Sequence, residues 1–312
     1  MNIHRLLPLA FFLAASLRAQ DLAYVHNLAP DYMNVSPAEF SADVSSLSKD
    51  AAVRRSGRAP MNLTGDSGTY SFLVPASANV AGQNGAFYKT ELAIQTQWLS
   101  SSITVYIYAI PNNTSPLATP SVIAGGAYTL KGFTVYTWDN ILESLGLGGA
   151  GYVLVSVDSS TYNYTAYSMN AWANTYTAAP NGGFFRTPVP VFTDASLFGA
   201  DNYRHSNVTQ NAANRNNLVV VNISSTSSLT INIRFHPYTS SAWTTYTVTL
   251  APLESQQYSF ASIFPGITGQ GELAFNYVSG GSWLGYVVRT DNGTNDGLLE
   301  LPYMCNVLNW PN

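Results

Sequence analysis

The chain has 312 residues, room for two domains of ordinary size, and 46% of them are hydrophobic, enough to build cores. Only 10% are charged, far below the roughly 25% of average proteins. A net charge of −4 gives no electrostatic footprint for nucleic acid or anionic lipid.

The first residues read as a signal peptide over 1–19. His4 and Arg5 form a short n-region, Leu6 to Leu17 an apolar h-region, and Ala19 offers a small residue at the cleavage point. That apolar run is too short to span a bilayer comfortably, and no later stretch reads as a membrane helix. No Cys follows the cleavage site, which argues against a lipoprotein anchor. Residues 20–69 are polar and aperiodic and carry the basic cluster Arg54-Arg55-Ser56-Gly57-Arg58, so an extended arm or linker is expected there.

From Tyr70 onward the pattern is that of β-strands. Ile103, Val105, Ile107 and Ala109 alternate with Thr104, Tyr106, Tyr108 and Ile110, and period two predicts one buried and one wet face. Trp138, Ile141, Leu142 and Leu145 fall at helical spacing, with Asp139 near the start where a carboxylate suits the dipole. Pro180-Asn181-Gly182-Gly183 marks a turn, and a linker is placed over 173–182. Cys305 is the single cysteine, which excludes an intramolecular disulfide and leaves the cores to hold the fold.

The second half of the chain repeats the first. One offset carries Lys89 to Ile94 onto Arg215 to Val220, Ser102 to Ile107 onto Ser228 to Ile233, and Pro111 onto Pro237. After a short deletion Thr129-Leu130 falls on Thr249-Leu250, and Gly149-Ala150-Gly151 on Gly269-Gln270-Gly271. Phe72-Leu73-Val74-Pro75 resembles Phe185-Arg186-Thr187-Pro188, which is expected to open the second copy. The apolar pattern recurs; no reactive charged side chain does, since Glu91 aligns with Asn217. The fold class read from this is all-β: two tandem β-sandwich domains from an internal duplication, at 70–172 and 183–304, with a tail at 305–312.

The order of motifs resembles a known group. A Pro-containing opening strand is followed by Asn79 to Phe87 and by Lys89-Thr90-Glu91-Leu92. A strand pair, Trp138 to Leu142 and Gly149 to Gly151 come next. This is similar to the tandem immunoglobulin-like β-sandwich repeats of secreted bacterial proteins of unassigned function. The resemblance implies an immunoglobulin-like fold and an extracellular setting, and brings no catalytic residues with it.

Several patterns invite a chemical reading. Gly146-x-Gly148-x-x-Gly151 fits a dinucleotide fingerprint, which requires a strand before it and a helix after it; here a helix is expected before and a strand after. Gly65-Asp66-Ser67-Gly68 and Ser46-x-x-Lys49 lack the partner groups that serine chemistry needs. His26, His205 and His236 have no metal-ligand spacing, and nothing in sequence brings Glu91 and Glu143 together as a glycosidase pair. Asp291 to Gly297 is an acidic loop in which Asp291, Asn295 and Asp296 offer oxygen to calcium, without the usual spacing. Tyr106, Tyr108, Tyr162 and Tyr164 form an aromatic set able to stack on sugars; their alternative role is packing.

The reading is a secreted, non-enzymatic structural or interaction protein for adhesion or assembly, partnered by another protein or by copies of itself through strand edges. Its alternatives are a carbohydrate-binding module using the aromatic face of domain 1, with polysaccharide as partner, and an extracellular hydrolase. No cofactor is expected, calcium excepted, and neither nucleic acid nor a membrane span is.

Overall fold

The computed structural model of the chain describes residues 72–82, 85–96, 103–114, 123–131, 134–157, 169–178, 183–192, 203–294 and 297–304. All of them fall in one unit, Val53–Asn312. Residues 1–71, where a signal peptide and an arm are expected, and Tyr162, Tyr164, Asn295, Asp296 and Cys305 lie outside the described residues.

The apolar and β-branched runs become antiparallel strands. The first group is β1 (Phe72–Ala81), β2 (Phe87–Thr96), β3 (Ile103–Pro111), β4 (Ala124–Leu130), β5 (Thr134–Trp138), β6 (Gly149–Val157), β7 (Met169–Ala178) and β8 (Phe184–Val189). The second is β9 (Tyr203–Gln210), β10 (Asn214–Asn222), β11 (Leu229–Pro237), β12 (Thr244–Leu250), β13 (Ser255–Ser259), β14 (Gly269–Ser279), β15 (Trp283–Asp291), β16 (Gly297–Glu300) and β17 (Tyr303–Met304). Two one-turn helices, α1 (Ile141–Ser144) and α2 (Phe260–Ile263), follow β5 and β13.

The first group pairs in the order β4-β3-β6-β1-β2-β7-β8, with β5 also on β2. One edge of β2 runs along β7, while the other is shared between the end of β1 and β5. The sheet therefore turns at the β1–β2 hairpin, and its two arms enclose one apolar cluster that includes Val74, Leu92, Ile94, Val105 and Val153. The second group makes two sheets, β13-β10-β15-β16 and β12-β11-β14-β9-β17.

Residues aligned by the sequence offset hold matching registers. Ile103 lies opposite Leu130, and Leu229 opposite Leu250. Pro111 lies opposite Gly151, and Pro237 opposite Gly271. Leu92 lies opposite Trp138, and Leu218 opposite Tyr258. Register is strongly specified wherever a face is buried, because a one-residue slip would turn every side chain over.

Each short helix is held by a side-chain cap, Asn140 accepting from the Glu143 N–H and Ser259 from the Ser262 N–H. Asn140 follows Asp139 directly, and Trp138 ends β5 instead of entering the helix. The glycine-rich segment at 146–151 follows α1 and leads into β6. Gly149 and its counterpart Gly269 have φ of 99° and 103°, a region that favours glycine. This is the reverse of the strand–loop–helix order that presents a helix N-terminus to phosphate.

Three expectations change. Phe185 to Pro188 does not open the second group: it forms β8, paired with β7 at the end of the first sheet. The opening strand is β9, which pairs with β14 as β1 pairs with β6. Phe and Pro are the only identities behind the expected match, and two residues do not decide a pairing. The expected linker at 173–182 likewise begins inside β7, which is bonded to β2 over Met169 to Tyr176.

The third change concerns the wet face of β3. Tyr108 and Ile110 are buried, and with Leu73, Tyr152 and Leu154 they join the apolar cluster of the second half. From the other side Val219, Val221, Leu284 and Tyr286 are buried at the parity opposite to Leu218 and Val220. Tyr286 Oη donates to the Pro75 carbonyl at 2.6 Å, and Tyr152 Oη to the Leu253 carbonyl at 2.7 Å. The inner strands β3, β6, β10 and β15 are buried on both faces over part of their length, which is why they carry unbroken buried stretches such as Ile107 to Ile110 and Leu218 to Asn222.

Candidate functional site: a cleft between the two halves

The feature that opens the site is an irregularity in β1. Its register on β6 shifts between Val74 and Ser77, at Pro75, which has no N–H to give to the ladder. The Pro75 carbonyl turns to Tyr286 instead. In the second group the corresponding pair β9–β14 runs without a shift. Beyond the shift β1 continues as Ala76, Ser77 and Ala78, whose short side chains leave space against the second half.

That space is a cleft of about 570 Å³, within the range of roughly 300–1,000 Å³ common for ligand sites. The first half contributes the small residues of β1, Thr175 and Thr177 on β7, and Phe185 and Thr187 on β8. Asn217 and Val219 on β10, Gln257 on β13, and Tyr286 and Val288 on β15 form the opposite wall. Gln257 lies opposite Val219 in the β10–β13 register, and Asn217 opposite Val288 in the β10–β15 register. These side chains therefore share the face that looks onto the first half.

The two halves are pinned at the mouth. Asn112 Oδ1 accepts from Ser255 Oγ at 2.7 Å, Asn113 N–H donates to the Ser255 carbonyl at 2.6 Å, and Thr187 Oγ1 donates to the Gly297 carbonyl. The lining is electrically quiet. Among the described lining residues Arg215 carries the one formal charge, its guanidinium donating to Asn292 Oδ1 at 2.6 Å, and no carboxylate, histidine or cysteine is present. Ser77 is 4% exposed, and its buried hydroxyl has no partner among the described residues.

The residues expected to act are placed elsewhere. Tyr106 and Tyr108 do stack, with centroids 6.5 Å apart and planes 16° from parallel. Their face is not an open platform, because Tyr108 is buried in the cluster shared with the second half and Tyr106 packs against it. Burial pushes the Tyr108 hydroxyl up to about 12, with Tyr106 adding to the effect. Tyr162 and Tyr164 lie outside the described residues.

Asp291 ends β15, and its Oδ1 accepts from the N–H groups of Gly293 and Thr294 at 2.8 and 2.9 Å. Those backbone bonds, Thr294 first, hold its carboxyl below the usual range. Asn295 and Asp296 are not described, and among the described residues no group of three potential ligands gathers. Glu91 pairs with Arg186 at 3.1 Å, while Glu143 accepts from the capping Asn140. His236 stacks on Trp243, over which Arg234 also lies. Sequence reasoning missed the cleft, since its walls come from strands far apart in the chain. The available signal was Pro75 inside an apolar strand.

No family profile and no curated protein matches the chain. Among solved structures, a calcium-binding mutant of beta-glucuronidase 2 from Bacteroides uniformis is similar over 74% of this chain and 28% of its own, at 11% identity and a TM-score of 0.15. The chain spans under a third of that protein's length. No helix among the described residues is long and apolar enough to cross a membrane.

Proposed function

We propose that the chain is a secreted, non-enzymatic binding protein. In this reading two immunoglobulin-like β-sandwich domains, products of an internal duplication, meet to form one ligand site. The matched registers of β3–β4 with β11–β12 and of β3–β6 with β11–β14 support the duplication. The observation that carries the function is the cleft of about 570 Å³, walled by both halves and lined by amides, hydroxyls and aromatic rings without an acid–base set. Soaking crystals with a fragment library tests it. Fragments collecting between β1 and β10 support the reading; fragments that gather elsewhere and leave the cleft empty overturn it. Turnover of any glycoside or ester panel by the purified chain overturns the non-enzymatic part.

A second reading, assembly through strand edges, is favoured by β12. Among the described residues it pairs only with β11, and its sequence Thr-Thr-Tyr-Thr-Val-Thr-Leu has neither the charge nor the proline that usually protects an edge. Light scattering that shows a monomer at all concentrations, unchanged by Thr247→Pro, removes that reading.

A further inference from the structure

We propose that the cleft takes a short neutral saccharide, held between the amides of the second half and the aromatic wall of the first. This rests on the cleft being the ligand site. A sugar ring offers hydroxyls that both donate and accept, and a C–H face that packs on aromatic rings. Its site needs donors and acceptors in similar number, rings beside them, and little net charge.

The unspent hydrogen-bonding capacity of the cleft has that composition. The Asn217 amide brings one acceptor and two donors, and it makes no side-chain hydrogen bond among the described residues. Gln257 Oε1 has only a 3.5 Å contact from Asn112 Nδ2, and its own Nε2 has no partner among the described residues. Asn217 is half-buried and Gln257 exposed, so a ligand in the cleft would take the place of water on both amides.

Aromatic surface stands beside these groups. Tyr88, Tyr176 and Phe185 line the cleft and are half-buried, while Tyr286 is buried in the wall behind it. Tyr88 lies so close over Gly82 that a Cβ there would meet its ring at 2.4 Å. Other ligand classes fit less well. An acidic ligand would find one cation, Arg215, already engaged by Asn292. A purely apolar ligand would bury Asn217 and Gln257 without partners, and that is costly.

Saturation-transfer NMR on the full chain tests the inference with cellobiose, maltose and diacetylchitobiose as neutral probes. Galacturonic acid serves as the acidic probe and indole as the apolar one. At least one neutral disaccharide is expected to bind, about tenfold more weakly in Asn217→Ala. Gln257→Ala is expected to weaken binding as well, while leaving the melting temperature of the free protein unchanged, since its exposed amide has only the 3.5 Å contact from Asn112. A purely structural role would move the melting temperature and not the affinity. Binding by indole alone, with resonances of β1 and β10 perturbed, retains the cleft and overturns the saccharide. Binding by no probe overturns both. Saccharide binding that neither substitution changes places the sugar elsewhere and overturns this inference.

Discussion

Tyr286 and Pro75 are 211 positions apart in the chain, yet the phenol of the first donates to the carbonyl of the second at 2.6 Å inside the protein. The bond joins β15 to the point where β1 breaks from its ladder, so one contact both ties the halves and supports the wall of the cleft. Tyr286→Phe keeps the ring but strands a buried carbonyl, and about 1–2 kcal/mol of stability should be lost. Urea unfolding measures this. A midpoint shift within error would mean that water replaces the phenol and that the halves are less tightly sealed there.

The shared core makes a second expectation. Leu73, Tyr108, Ile110, Tyr152 and Leu154 of the first half belong to one apolar cluster with the interior of the second. Unfolding either half would expose the face that covers the other, so the described strands should melt in one cooperative transition. Calorimetry should give equal calorimetric and van't Hoff enthalpies. A fragment of residues 203–304 alone would leave Val219, Val221, Leu284 and Tyr286 uncovered, and it is expected to aggregate or remain unfolded. Two resolved transitions, or a well-folded fragment, would contradict this.

Stability should fall on the alkaline side. Burial raises the Tyr286 hydroxyl well above its ordinary value, and raises Tyr108 to about 12. Both are neutral in the folded protein at pH 10, whereas in the unfolded chain they ionise near that pH. The unfolded state then binds fewer protons, so the free energy of unfolding declines as pH rises above 10. Their contribution is complete below pH 10 and is lost toward the folded values. Tyrosinate absorbance should rise together with the loss of near-ultraviolet dichroism, and Tyr108→Phe should flatten the decline. Ionisation of every tyrosine at pH 10 without unfolding would disprove it.

The strands were legible because burial writes period two into the sequence: Ile103, Val105, Ile107 and Ala109 are all buried, as their alternation predicts. The face of β3 was misread because a single strand cannot tell water from a second protein layer. The information was present in the difference between the halves. Tyr108 and Ile110 stand where the second half has Arg234 and His236, and only the former pair is covered. Tyr106 and Tyr108 looked like a sugar platform for the same reason, since aromatic residues suit either a ligand or a buried interface. The β8 assignment failed where the similarity was shortest, and the cleft was invisible because no contiguous segment contains it.

The glycines at strand entry give the last expectation. A Cβ at Gly151 would lie 2.1 Å from the Ile110 carbonyl oxygen, and one at Gly271 would lie 2.5 Å from the His236 carbonyl oxygen. Both obstacles are backbone, held in the β3–β6 and β11–β14 ladders, so they cannot swing away as a side chain end would. Gly151→Ala should cost about 1–3 kcal/mol or more, as overpacking does. Gly271→Ala should cost a similar amount, with its added Cβ also 2.4 Å from the Phe235 ring. Gly148 is the control, because its nearest neighbour to an added Cβ is 3.9 Å away, and Gly148→Ala should change stability by under about 0.5 kcal/mol. Urea midpoints for the three variants decide the matter. Equal effects at Gly148 and Gly151 would show that conformational freedom, and not close strand approach, explains these glycines.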